Sequence, residues 1–84
     1  MTKILYDENG YYGDRLKFKD VGNNIYTIVN NDEELLGHLE RLRVGRWMSW
    51  CLTLETDCYL SAGCQDEVRE VTRKLNAKEK VKSL

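Results

Sequence analysis

Proline is absent from the chain, histidine and phenylalanine occur once each, and no uninterrupted apolar run exceeds three side chains. A membrane-crossing helix needs about 18 or more consecutive apolar residues, so none is expected. The opening MTKILYDENG has one lysine and the apolar run Ile4–Tyr6, too short for the core of a secretory signal. The lack of proline fits short loops. Neither GxGxxG nor GxxxxGK[ST] occurs, which removes the common glycine-rich phosphate cradles. With a single histidine, no hydrolytic triad is assembled by motif. Three cysteines is an odd count, so a complete disulfide framework within one chain is impossible. Free thiols suit a reducing compartment, and a cytoplasmic location is expected.

Thirteen basic and fourteen acidic residues leave a formal net charge of −1, which does not demand a polyanionic partner. The balance is uneven. Residues 1–34 hold four basic and seven acidic side chains, whereas residues 66–84 hold six basic and four acidic. Eighty-four residues suit one small domain, 1–84, with 79–84 as a fraying tail. A core of this size is thin, and each large apolar side chain counts.

Ile4–Tyr6 reads as a short strand ended by Asn9-Gly10, a hairpin signal because both residues tolerate positive φ. Arg15–Lys19 alternates strictly, with Leu16 and Phe18 on one face and three cations on the other. Asp20–Asn24 is turn chemistry, and Ile25–Val29 is a β-branched, aromatic return strand. Leu35, Leu36, Leu39 and Leu42 then fall at helical spacing. Asn31 or Asp32 is positioned as an N-cap and Gly45 as a stop, so a first helix over 33–44 is expected. A competing reading carries that helix through Gly45 into the tryptophans. Residues 47–54 alternate as a strand, Cys58–Leu60 as a short return strand, and Ser61 caps a last helix with Cys64, Val68, Val71 and Leu75 as its apolar seam. The expected fold is α+β in the order βββαββα: an antiparallel sheet of four to five strands with two helices on one face.

Arg46–Gln65 concentrates both tryptophans and all three cysteines. Cys51, Cys58, Cys64 and His38 form a legitimate zinc donor set by type. Their spacing lacks the close pairs of a knuckle, so buried thiols are the plainer reading and no metal or cofactor is expected. Cys64, at a helix start, is a candidate reactive thiol, yet it also lies in register with the seam. The carboxylate pairs Asp7-Glu8, Asp32-Glu33-Glu34 and Asp66-Glu67 sit at turns and helix starts, where capping accounts for them.

Two surface readings compete. Trp47 and Trp50, three apart on a strand, face opposite sides, and a sheet covered by helices on one side leaves an open face. A partner-binding surface from Trp47, Met48, Trp50, Tyr11 and Tyr12 follows, against the plainer reading that both tryptophans are core. The leading expectation is a non-enzymatic protein-binding module: a regulator or inhibitor of a host protein, or a homodimer. Its size and compact loops fit a small regulator of the phage or mobile-element kind. The alternative is nucleic-acid binding through the basic last helix (Arg69, Arg73, Lys74, Lys78) or the tyrosines beside Lys17 and Lys19. Against it stand the acids interleaved on that helix, which suit solvated i,i+4 pairs.

Overall fold

Leu16–Gly22 and Ile25–Asn30 pair around Asn23-Asn24, and the computed structural model, which describes residues 3–82, builds outward from that hairpin. Both asparagines sit at positive φ (55° and 63°), the backbone a type I′ turn requires. Six strands follow one another: β1 (Leu5–Asp7), β2 (Gly10–Tyr12), β3 (Leu16–Gly22), β4 (Ile25–Asn30), β5 (Leu35–Val44) and β6 (Trp47–Leu54). Each pairs antiparallel with the next, so chain order is also sheet order. One helix, α1 (Ala62–Lys82), closes the chain. Among the described residues the fold is therefore α+β with one antiparallel sheet of six strands and a single C-terminal helix.

Three expectations need correcting. The predicted helix over 33–44 is strand β5, and with it falls the reading that continued that helix into the tryptophans. The leucine spacing is overridden at both ends by turns. Asn30 Oδ1 accepts the N–H groups of Asp32 (2.9 Å) and Glu34 (3.0 Å), and Glu33 takes φ 63°, which closes a hairpin loop where an N-cap was expected. Gly45 (φ 63°) is the first central residue of a two-residue hairpin joining Val44 to Trp47, not a helix stop. Between those turns β5 finds a partner strand along each edge. Second, Gly10–Tyr12 is a strand of its own, so the sheet has six strands where four to five were expected. Third, Cys58–Leu60 is irregular connection, entered through a turn in which Cys58 N–H donates to Glu55 O (3.1 Å).

The last helix forms as its seam predicts. Ser61 Oγ accepts the Cys64 N–H at 3.3 Å, the geometry of an N-cap. Val68, Val71 and Leu75 are buried and Cys64 packs against them. They meet Tyr11, Leu16, Phe18, Ile28, Leu39 and Trp50 from one face of the sheet. The helix is drawn to Lys82. Arg41 Nε and Nη2 donate to the two carboxylate oxygens of Glu79 at 2.8 and 2.9 Å, fastening its final turns to β5. The end of the expected tail, residues 83–84, lies outside the described residues.

Its other end is held by a buried carboxylate. Glu67, 1% exposed, accepts the N–H groups of Arg15 (3.1 Å) and Leu16 (2.9 Å), and the Arg15 guanidinium stands 3.7 Å away. These amides lead into β3, and the buried one at Leu16 would otherwise lack a partner in the interior. Gly13 lies so close to this carboxylate that a Cβ there would collide with it. Among the described residues, no helix is long and apolar enough to cross a membrane.

Candidate partner surface on the last strand and its flanks

Alternation along β6 assigns the tryptophans. Trp50 is 8% exposed, under the helix and edge-to-face with Tyr26 (centroids 5.4 Å apart). Trp47 is 62% exposed on the opposite, uncovered face of the sheet. Its cross-strand partner Val44, and Leu42 two residues earlier, are exposed on that same face. An apolar patch of Leu42, Val44 and Trp47 thus marks the tip of the β5–β6 hairpin.

The expected partner residues separate. Tyr11 (4% exposed) joins Trp50 in the core, and its hydroxyl accepts a hydrogen bond from Lys78 Nζ at 2.9 Å. That bond raises the Lys78 pKa. Burial and the negative field of Asp20 likewise raise that of Tyr26. Met48 is half-buried on the helix side. Tyr12 lies on the uncovered face, its hydroxyl donating to Asp7 Oδ1 at 3.1 Å. Of the five residues, Trp47 is the most exposed, and Tyr11 and Trp50 belong to the core.

The outer edge of β6 is the feature the sequence did not reveal. In an antiparallel ladder, alternate residues turn their N–H and C=O groups toward the neighbour and away from it. The two-residue turn pairs Val44 with Trp47, and Glu55 N–H donates to Leu36 O at 2.8 Å. Residues 47, 49, 51 and 53 therefore bond to β5, while Met48, Trp50, Leu52 and Leu54 direct their backbone outward. Asn76 Oδ1 accepts the Trp50 N–H at 2.9 Å. The N–H groups of Leu52 and Leu54 have no hydrogen-bond partner among the described residues. Edge strands are ordinarily guarded by lysine, proline or a bulge. β6 reads WMSWCLTL, with no charge and no proline, and its register with β5 is unbroken.

Beside this edge, on the helix side, lies an apolar groove of about 460 Å³ lined by Leu52, Leu54, Cys58, Leu60, Val68 and Arg69, with Tyr59 at its rim 91% exposed. A second groove of about 300 Å³, on the other flank of the helix, gathers Tyr6 and Tyr11 with Arg73, Lys74 and Lys78. Three of the four basic residues singled out from the sequence meet two tyrosines there, and Arg69 instead borders the first groove. Glu70 engages both Arg73 and Lys74, and these cations hold its pKa below the usual carboxylate range.

The zinc donor set is spread out. His38 and Cys51 are on the uncovered face, Cys58 is in the connection and Cys64 is in the first helical turn. All three thiols are free and half-buried. Among the described residues, no three histidine, cysteine or acidic side chains gather as a metal site would require. Comparison with protein-family models, with curated proteins and with solved structures finds no match for this chain.

Proposed function

We propose that the chain is a non-enzymatic protein-binding module that engages its partner along β6, with the backbone of Leu52 and Leu54 as the docking edge and Trp47 as a flanking anchor. The observation that supports this reading is the free, uncharged edge beside an apolar groove. In strand addition, main-chain hydrogen bonds provide affinity, and a groove that receives alternate side chains provides selectivity. A regulator or inhibitor that acts by occupying another protein's surface fits this arrangement. The test is affinity purification from the cells that make the protein, comparing the parent chain with Leu52→Lys and Trp47→Ala. A protein recovered with the parent and lost with both variants supports the reading. Equal recovery with all three, or recovery of no protein at all, overturns it.

A second reading rests on the groove that sets the exposed Tyr6 beside Arg73, Lys74 and Lys78, since an aromatic ring among cations suits single-stranded nucleic acid. Its test is titration with single-stranded DNA and RNA at low salt. Binding that weakens steeply with salt and is lost in Lys74→Glu supports it, and the absence of binding removes it.

A further inference from the structure

We propose that the strand added to β6 is the β6 of a second copy of this chain, antiparallel about a two-fold axis through Thr53. This rests on the protein-binding reading above and names its partner. The free edge is short. Asn76 occupies the outward N–H at Trp50, and the strand ends at Leu54. On the C-terminal side of that block Leu52 and Leu54 turn their N–H and C=O groups outward, and Thr53 stands midway. In a two-fold pairing about Thr53, Leu52 N–H donates to Leu54 C=O of the second copy, Leu54 N–H donates to its Leu52 C=O, and the symmetric pair repeats both bonds. Each outward group of Leu52 and Leu54 on one edge is met by the same two residues of the other, which is what an isologous interface demands. A longer foreign strand would run into the N–H that Asn76 already holds.

Side chains agree with that register. Leu52 of one copy opposes Leu54 of the other on the helix side, beside the groove each already lines. The apolar lining of the two grooves then becomes continuous across the axis. On the uncovered face Thr53 opposes Thr53, and Cys51 opposes Glu55, so no like charges are set against each other. Because β6 has no charged residue, nothing along the strand repels its own copy.

The axis residue supplies the test. Thr53 is exposed and its side chain points away from the core, so Thr53→Lys and Thr53→Glu leave the interior untouched. Analytical ultracentrifugation across a concentration series should show the parent chain dimerising. Each variant alone, with like charges directly opposed, should raise the dissociation constant about tenfold or more. An equimolar mixture of the two should dimerise again, because lysine then faces glutamate. A Thr53→Cys variant gives a second readout: mild oxidation should produce a covalent dimer that the parent, with its three native thiols, does not form. A parent chain that stays monomeric at millimolar concentration overturns the proposal. So does a dimer indifferent to both charges, or a mixture that behaves as its components do. A monomer that still captures another protein through Leu52 would overturn the self-pairing and leave the protein-binding reading standing.

Discussion

Asn76 Oδ1 accepts the N–H of Trp50 at 2.9 Å across 26 residues of chain, stopping the outer edge of β6 at its middle. One helical side chain thus interrupts an eight-residue edge, separating Met48 from the open stretch around Thr53. Asn76→Ala should release the Trp50 amide. Hydrogen exchange followed by NMR should show that amide exchanging at least about tenfold faster in the variant, at a stability cost of about 1 kcal/mol. Unchanged exchange would mean that the amide is protected by something other than Asn76.

The two tryptophans should respond oppositely to the same change. Trp50→Ala removes a buried ring and should destabilise the protein by about 3–5 kcal/mol in chemical denaturation. Trp47→Ala should cost no more than about 0.5 kcal/mol, because that ring is mostly in solvent. Fluorescence gives an independent check. Trp50→Phe should leave a red-shifted emission readily quenched by acrylamide, and Trp47→Phe a blue-shifted one that is shielded.

Much of this was legible from residue pattern, and the failures share a cause. The hairpin around Asn23-Asn24 and the seam from Cys64 to Leu75 are local signals, a turn dipeptide and a helical period, and both formed as read. The opposite facing of Trp47 and Trp50 also follows from strand parity. β5 was misread because its leucines are spaced as on a helix while Gly37, His38 and Arg41 break the strand alternation. What makes it a strand is pairing on both sides, which no window of sequence contains. The free edge of β6 was invisible for a related reason: only the order of strands in the sheet shows that nothing follows it.

Gly37 records that pairing directly. A Cβ at this position would run into the Thr53 carbonyl of the neighbouring strand. Gly37→Ala should therefore destabilise the protein by about 1–3 kcal/mol, whereas alanine is the better residue in any helix. A variant as stable as the parent would contradict the strand assignment of β5.

Glu67→Ala should be among the most damaging polar substitutions, at about 2–4 kcal/mol, because it leaves the buried Leu16 amide and the partly buried Arg15 amide without acceptors. Glu67→Gln keeps one acceptor oxygen and should cost less. The two are ranked by urea denaturation, and equal stability of parent and Glu67→Ala would show that the carboxylate does not organise that loop.

Acid should act through Glu33 on the uncovered face. Hydrogen bonds from Lys19 (2.8 Å) and Lys17 (2.9 Å) lower its pKa to about 2. A carboxylate depressed in the folded state stabilises the protein above its unfolded pKa, and that contribution disappears as pH falls through the folded value. The stability difference between the parent and Glu33→Gln should accordingly be constant above about pH 5 and shrink between about pH 4.5 and 2. A difference that does not change with pH would remove the ion pairs from the account.

Amide exchange at Leu52 and Leu54, measured in dilute and in concentrated protein, bears most directly on the claim that the β6 edge is a docking edge for its own copy. Both amides should exchange fast when dilute and become protected as concentration rises. Cys51 and Thr53, already bonded to β5, should be slow throughout. Exchange at Leu52 and Leu54 that stays fast at every concentration would contradict it.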